Sequence, residues 1–533
     1  MAPYLLARFW PNSRRLNLWA ALLGAALLAA GCARKSFFQP DARTTSALTQ
    51  AVTAQADSLP NLTAGRQYAR HGRLYEAMVG RHHRPSWVAP ITAPVLRLSE
   101  VVPGGLVAGK LGGGFNSTSL SFSSPDDHRY VLRTVDKDPS RAIPRWLRGT
   151  FLSNALRDNI SATNPYAALT VPPLAAALNI PHTSPRVFYV RPDDPIFAPD
   201  SLQRFRGQLG LLEEKFSGRA VAVPGLGVAD VVSSTDAFQR IFESPASRID
   251  QAGLLRARLF DTWLGDWDRH EGQWNWAAMP IAGTTRTVYR AIPKDRDMVF
   301  YRLDDGALGW LLGHFLKRPW NTFAPRFTNV RGLLHNGQYL DVRALNALNR
   351  RQFQAAATAM QRQLPDTLLT RALRRLPPTV RAIEGARTLA TLQARRTALP
   401  AFADAFYLEL SERPKVGGTA QAEQFEVVRY ADSTRVTVTS LPSSAGGTSV
   451  VPIVIFQRTF FPGETKTIQL DGLGGNDIFI LQQGAGSASA RPRLRIYGGP
   501  GDDQLRGDAT RRGVRFSQEA ARRGLAYDKP PKE

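Results

Sequence analysis

Gly265-Asp266-Trp267-Asp268-Arg269-His270-Glu271-Gly272-Gln273 is the stretch on which the reading of this chain turns. Upstream of it, Leu255, Leu259 and Trp263 recur at i, i+4 and i+8, so residues 250–264 are predicted to form an amphipathic helix. Gly265 can take the left-handed conformation that ends such a helix. Downstream, Trp274-Asn275-Trp276-Ala277-Ala278 and Thr287-Val288-Tyr289-Arg290-Ala291-Ile292 read as the strands of a hairpin about Ala282-Gly283-Thr284. The second strand runs into Pro293-Lys294-Asp295-Arg296-Asp297. The acids of this unit, Asp261, Asp266, Asp268, Asp295 and Asp297, have two readings. They build a reactive site, or they form a structural ion-pair network with Arg258, Arg269, Arg290 and Arg296.

Toward the N-terminus, Lys110-Leu111-Gly112-Gly113-Gly114-Phe115-Asn116 is a glycine-rich turn. Strand patterns follow at Leu120 and Phe122 and at Tyr130-Val131-Leu132-Arg133-Thr134-Val135. Helical patterns occupy 146–160 and 166–178, and Arg186-Val187-Phe188-Tyr189-Val190 and Gly210-Leu211-Leu212-Glu213-Glu214 read as further strands. Toward the C-terminus, Leu/Ala/Arg segments such as 341–375 keep helical spacing. After Arg413-Pro414-Lys415-Val416-Gly417-Gly418-Thr419 the texture changes to alternating strands such as Phe425-Glu426-Val427-Val428 and Arg435-Val436-Thr437-Val438. The expected class is α+β, with a mixed body over 67–411, a small all-β, sandwich-like domain over 412–510, and a basic tail over 511–533.

Helix, acidic loop, hairpin and second acid is the layout of a protein-kinase catalytic core. Asp268 and Gln273 are five apart, the spacing that a kinase loop uses between its catalytic Asp and its metal-binding Asn. Gly-Asp-Trp-Asp-Arg-His at 265–270 resembles the loop of atypical kinases such as the secretory-pathway Golgi kinases, type II phosphatidylinositol 4-kinases and bacterial toxin kinases. The resemblance implies a two-lobed kinase-like domain that uses Mg²⁺ and ATP. Asp268 would then be the catalytic Asp, and Asp295 with Gln273 would hold the metal. Gly112, Gly113 and Gly114 would cover the phosphates, Arg133 would stand at the phosphate-lysine position, and Glu213 and Glu214 would form the hinge. Asp158 is the candidate for the acid of the small-lobe helix. The chain departs from the pattern in carrying Gln273 for Asn, and Arg133 for Lys with Lys137 four residues on. An arginine does not place a compact ammonium between phosphates as lysine does. The expectation is therefore a phosphotransferase or a pseudokinase. The alternatives are a non-enzymatic envelope scaffold that binds glycan, lipid A or a barrel partner, and a metal-dependent hydrolase on the same acids.

Compartment is read from the other end of the chain. Arg8, Arg14 and Arg15 precede an apolar run from Leu16 to Ala30, and Gly31 stands before Cys32, the sole cysteine. This is the anatomy of a secretory signal over 1–31, and it resembles the lipobox of bacterial lipoproteins, in which the cysteine is acylated. Residues 32–66 read as a flexible tether. The resemblance implies a lipid-anchored protein of the bacterial outer membrane, without disulfides. Its net charge of +24 reads first as arginine spread over solvated helix faces, and otherwise as a surface for anionic lipid or lipopolysaccharide phosphate. An exported lipoprotein is not expected to meet nucleic acid.

In the β part, Gly498-Gly499-Pro500-Gly501-Asp502-Asp503-Gln504-Leu505 resembles the repeat unit of RTX calcium rolls. Gly472-Leu473-Gly474-Gly475-Asn476-Asp477-Ile478-Phe479 fits it with one glycine fewer. That resemblance makes Asp477, Asp502 and Asp503 candidate Ca²⁺ ligands; the alternative is a pair of turns joining sandwich strands. The order of tether, glycine turn, Asp-Trp-Asp-Arg-His loop and glycine–acid turns is similar to a family of Bacteroidota envelope lipoproteins, often continued by an outer-membrane barrel. A barrel protein is therefore a candidate partner.

Overall fold

The hydrophobic pattern decides most elements locally, and the way they pack decides the site. The structure is a computed structural model and describes residues 37–47, 56–69, 71–112, 118–139, 144–145, 148, 150–303, 305–311, 322–442, 452–486, 491–507, 512–521 and 525. Among them are helices and five sheets, an α+β architecture. No helix of the described residues is long and apolar enough to cross a membrane.

The first large sheet is antiparallel and holds, in spatial order, Val107–Gly112, Ser119–Ser123, Arg129–Thr134, Leu209–Glu214 and Arg186–Tyr189. Alternation puts Leu120, Phe122, Leu132, Phe188 and Leu212 on one face, packed with Phe197 and Phe205. The opposite face carries Arg133 and Glu213 toward the rest of the body.

The second sheet holds Ser247–Ile249, Thr287–Pro293, Trp274–Pro280, Gly227–Ser233 and Gly218–Val223. Its central hairpin, read from the sequence as two strands about Ala282-Gly283-Thr284, pairs Trp274 with Pro293 and Pro280 with Thr287. The helix Gln251–Leu264 leads into the acidic loop. Asp250 caps it by accepting from the Gly253 N–H at 2.9 Å, and Gly265 ends it with φ +76°. A side chain at Gly265 would also crowd Phe323, at 3.1 Å. This helix is not a half-exposed amphipathic one. From Leu254 to Leu264 all but Arg256 are buried, including Arg258 and Asp261, because helices close over its polar side as well. Chief among those is the 34-residue helix Pro378–Ser411, which continues through Pro400.

After Ser411 the chain turns to strands. Lys415–Gly417, Thr467–Asp471, Arg493–Tyr497 and Val514–Ser517 form an all-parallel sheet. Val454–Phe460, Thr434–Ser440, Glu423–Arg429, Ile478–Gln483 and Gln504–Gly507 form the facing one. Phe425, Phe479, Ile468, Leu470, Leu494 and Ile496 fill the space between them. The two layers match the sandwich-like expectation, but the connectivity does not resemble an antiparallel sandwich. From Thr467 onward the chain alternates between the sheets in stacked parallel coils.

The segment expected to be a flexible tether to residue 66 is largely docked. Phe37, Ala42, Leu62 and Ala64 are buried, Ser58–Leu62 pairs with Ile91–Pro94, and the Tyr189 hydroxyl donates to Asp41 at 3.0 Å. Its scattered apolar residues carry no period, so periodicity could not show the docking. Cys32 and the signal lie outside the described residues.

Candidate functional site

The two large sheets of the body enclose a cleft. Its lining includes Arg133, Lys137, Thr183, Glu213, Asp295 and Asp297. Arg133 pairs across the sheet with Ser119, and Ser119 with Gly112. It forms an ion pair with Glu213, which also accepts from the Thr183 hydroxyl at 2.6 Å. Lys137, 8% exposed, forms an ion pair with Asp297. These pairs cross the cleft and leave about 60 Å³ of free space.

Asp295 follows the second hairpin strand in the left-handed region, φ +57°, a conformation that costs a non-glycine residue energy and persists where the surroundings fix it. Arg269 supplies much of that fixing. It donates to the Lys294 carbonyl at 2.8 Å and the Gln273 carbonyl at 3.3 Å, and lies 4.6 Å from the Trp274 ring centre. Burial alone would raise the Asp295 carboxyl. The charges of Arg133, Lys137 and Arg269 and a hydrogen bond from Gln273 outweigh it and hold the carboxyl below its ordinary range. Burial lowers the Lys137 ammonium, against the pull of Asp295, Asp268 and Asp266.

Asp268 is held differently. Its Oδ1 accepts from Asn336 Nδ2 at 2.9 Å, and no arginine of the described residues lies within 4.0 Å of it. Asn336 sits in the turn His335–Gly337. A Cβ on Gly337 would overlap the Arg258 guanidinium, which is bound to Asp341 at 2.7 and 2.8 Å with both partners fully buried. A buried ion pair thus backs the turn that orients Asp268.

The ion-pair network takes some of these acids and not others. Asp261 is taken by Arg269 at 2.9 Å and Arg296 at 2.7 Å; Asp266 lies 3.8 Å from Arg269, and burial pushes its carboxyl up. Arg258 and Arg290 are engaged by Asp341 and Asp250. Asp268 and Asp295 are left over, and both bear on Lys137.

The remaining candidates divide. Glu213 enters the cleft as a side chain, whereas Glu214 accepts from the Ser184 N–H at 2.7 Å. Asp158, the candidate small-lobe acid, does not pair with Arg133 or Lys137. Arg84 binds it with both NH1, at 2.7 Å, and NH2, and Tyr75 donates to it at 2.7 Å, so it fastens the N-terminal segment to the body. Gly112 ends its strand, and Gly113 and Gly114 lie outside the described residues. Thr183 and Asn336 were not named from sequence, and the pairing of Lys137 with Asp297 was not expected. Lys137 was visible as the nearest lysine to Arg133, but nothing local links Asn336 to a loop 68 residues earlier.

In the β part, Asp477 and Asp503 stack. The Glu423 N–H donates to Asp477 Oδ1 at 2.8 Å, and the Asp477 N–H to Asp503 Oδ1 at 3.0 Å. Asp502 is exposed, its N–H bound to Asn476 Oδ1. Among the described residues no group of three or more His, Cys, Asp or Glu side chains is arranged to hold a metal ion.

No protein-family model matches the chain, and no curated protein does. Among solved structures a Golgi casein kinase is similar over 56% of this chain and 72% of that one, at 10% identity and a TM-score of 0.25. So loose an overlap carries no assignment.

Proposed function

We propose that the cleft is an atypical kinase-like phosphotransferase site. One observation carries the reading: Asp268 forms no ion pair within 4.0 Å among the described residues, while Asp295 lies among the charges of Arg133, Lys137 and Arg269 at the cleft, and both act on Lys137. The small sheet supports the reading, since Arg133 on its third strand lies across from Ser119, which pairs with Gly112 on the first.

The roles follow from position. Lys137 and Arg133 hold the donor phosphates after giving up Asp297 and Glu213. Asp268, its rotamer fixed by Asn336, orients the acceptor hydroxyl and takes its proton. Mg²⁺ fits this donor set, since it is commonly held by one or two carboxylates with water and substrate phosphate completing the shell. Asp295 would hold it, and Gln273 could join only by turning the amide that now donates to Asp295. The metal would neutralise charge on the donor phosphates. Ligand pockets measure roughly 300–1,000 Å³, so nucleotide entry must part the Arg133–Glu213 and Lys137–Asp297 pairs.

The test is release of ADP from Mg²⁺-ATP, with or without an acceptor protein. Asp268→Asn is expected to lower turnover about 10²-fold or more while nucleotide binding persists. Binding without turnover in the wild type would make the chain a pseudokinase; neither binding nor turnover would refute the reading in favour of an envelope scaffold. We further propose that acylated Cys32 anchors the protein to the outer membrane. Cys32→Ser should then move it to the soluble fraction, and an unchanged membrane fraction would count against the anchor.

A further inference from the structure

Two short helices at the surface turn apolar side chains outward. Arg73–Val79 has no buried residue, and Leu74, Ala77 and Met78, at i, i+3 and i+4, are all exposed, Leu74 by 79%. Its polar side faces inward: Tyr75 and Glu76 are half-buried, and the Tyr75 hydroxyl donates to buried Asp158 at 2.7 Å. Ala307–Leu311 repeats the arrangement with exposed Ala307, Trp310 and Leu311, Trp310 by 46%. The two helices abut, since a Cβ on Gly306 would lie 2.6 Å from the Val79 carbonyl carbon. A surface helix ordinarily shows its polar face to solvent, and a contiguous apolar patch marks a surface that a partner covers.

The length of chain before the body says what that partner is. Phe37, five residues after Cys32, is already buried. Five residues reach at most about 18 Å, so an acyl chain on Cys32 would hold the body against the bilayer. The Arg157 guanidinium carbon lies 5.5 Å from the Phe37 ring centre, and the next residue, Asp158, accepts from Tyr75, the neighbour of Leu74. The start of the docked chain and the first helix thus share one support. Arg73 at the start of that helix and Arg81 just beyond its end are exposed. Of the acids at hand, Glu76 lies 3.7 Å from Arg81, and Asp305, its side chain 22% exposed, accepts from the His82 N–H at 2.7 Å.

We propose that this face docks on the lipid surface beside the anchor, with Leu74, Met78, Trp310 and Leu311 in the interface and Arg73 and Arg81 at headgroup phosphates. Tryptophan concentrates at the headgroup level, and apolar helix faces flanked by basic residues lie in that plane. Docking there fixes which way the body stands on the membrane. Acylation of Cys32 is a premise here; the kinase-like cleft is not.

Cys32 is the sole cysteine, so in the mature, acylated protein one added cysteine takes a thiol-reactive fluorophore at one place. Leu74→Cys puts the label on the patch, and Gln482→Cys puts it on an exposed position of the β coils. Each is reconstituted in phosphatidylethanolamine–phosphatidylglycerol vesicles that contain nitroxide-labelled lipid. The Leu74→Cys label is expected to lose fluorescence to the nitroxide, and the Gln482→Cys label to keep it. Adding Met78→Asp should restore the fluorescence of the Leu74→Cys label while the acyl chain keeps the protein on the vesicles. An unquenched Leu74→Cys label on vesicle-bound protein, bare or shielded by a second copy, would overturn the docking and leave the anchor standing. So would equal quenching of both labels, or quenching that Met78→Asp does not change. Label taken up by the wild type would show a free Cys32 and remove the anchor, and the docking with it.

Discussion

Asn336 is the residue that separates a site from a salt-bridge network. A carboxylate that serves only structure is best matched by arginine, as Asp261 and Asp341 are. Asp268 instead receives one neutral amide hydrogen bond and keeps its second oxygen for another partner. Asn336→Ala is therefore expected to slow turnover by about 10–10²-fold, the scale of a misplaced catalytic group, with nucleotide affinity held. A fall in affinity with turnover preserved would assign Asn336 to binding.

Glu384 offers a second test at this scale. Burial would raise its carboxyl, but His83, Ser86 and Arg302 hold it at about 2, below its ordinary 4.5. A depressed carboxylate stabilises the fold above the unfolded value, and that contribution is lost as pH falls from 4.5 through 2. Glu384→Gln should flatten the acid limb of the unfolding profile, because the carboxylate whose lowered pKa produces that limb is gone.

At the scale of elements, the helix Gln251–Leu264, its glycine stop and the hairpin were legible because each rests on contacts within about twenty residues, where periodicity and turn chemistry act. The docking of residues 37–47 and 56–66, Asn336 on Asp268 and Lys137 on Asp297 join segments far apart, and no local pattern encodes them. The glycine–acid motifs were visible as turns. That they close parallel coils was not, since alternation fixes which face a residue takes and not which strand it pairs with. The coils show why those glycines are there: a Cβ on Gly498 would overlap the Asp503 carboxylate, and one on Gly472 the Asp477 carboxylate. Gly498→Ala should lose about 1–3 kcal/mol, as overpacking does, read by chemical unfolding. Burial, with the nearby Glu423 and Asp503 charges, pushes the Asp477 carboxyl up to about 8. The folded chain then keeps a proton that the unfolded chain loses above 3.8, so stability should fall as pH rises from 3.8 to 8. Asp477→Asn should remove that residue's share of the slope; an unchanged slope would show that Asp477 is ionised in the fold.

Across the whole molecule, the β coils are fastened to the helical body by buried polar contacts. Arg458, from the strand Val454–Phe460, donates to the Asn346 carbonyl at 2.8 Å, the Tyr407 hydroxyl at 3.0 Å and the Ser411 hydroxyl at 2.6 Å. The Ala420 N–H adds a bond to the Phe242 carbonyl at 2.7 Å. The long helix that carries Tyr407 and Ser411 also packs on the helix leading into the acidic loop, through the bond from Trp263 Nε1 to the Leu392 carbonyl at 3.1 Å. The coils therefore brace the element behind the site.

The central claim concerns the cleft, and nucleotide binding tests it most directly. Thermal unfolding of the purified protein with and without Mg²⁺-ATP should show stabilisation of about 2.7 kcal/mol at a hundredfold the dissociation constant, lost in Asp295→Asn and in Lys137→Met. If no nucleotide stabilises the wild type, or if both variants respond as it does, the cleft is not a phosphotransferase site.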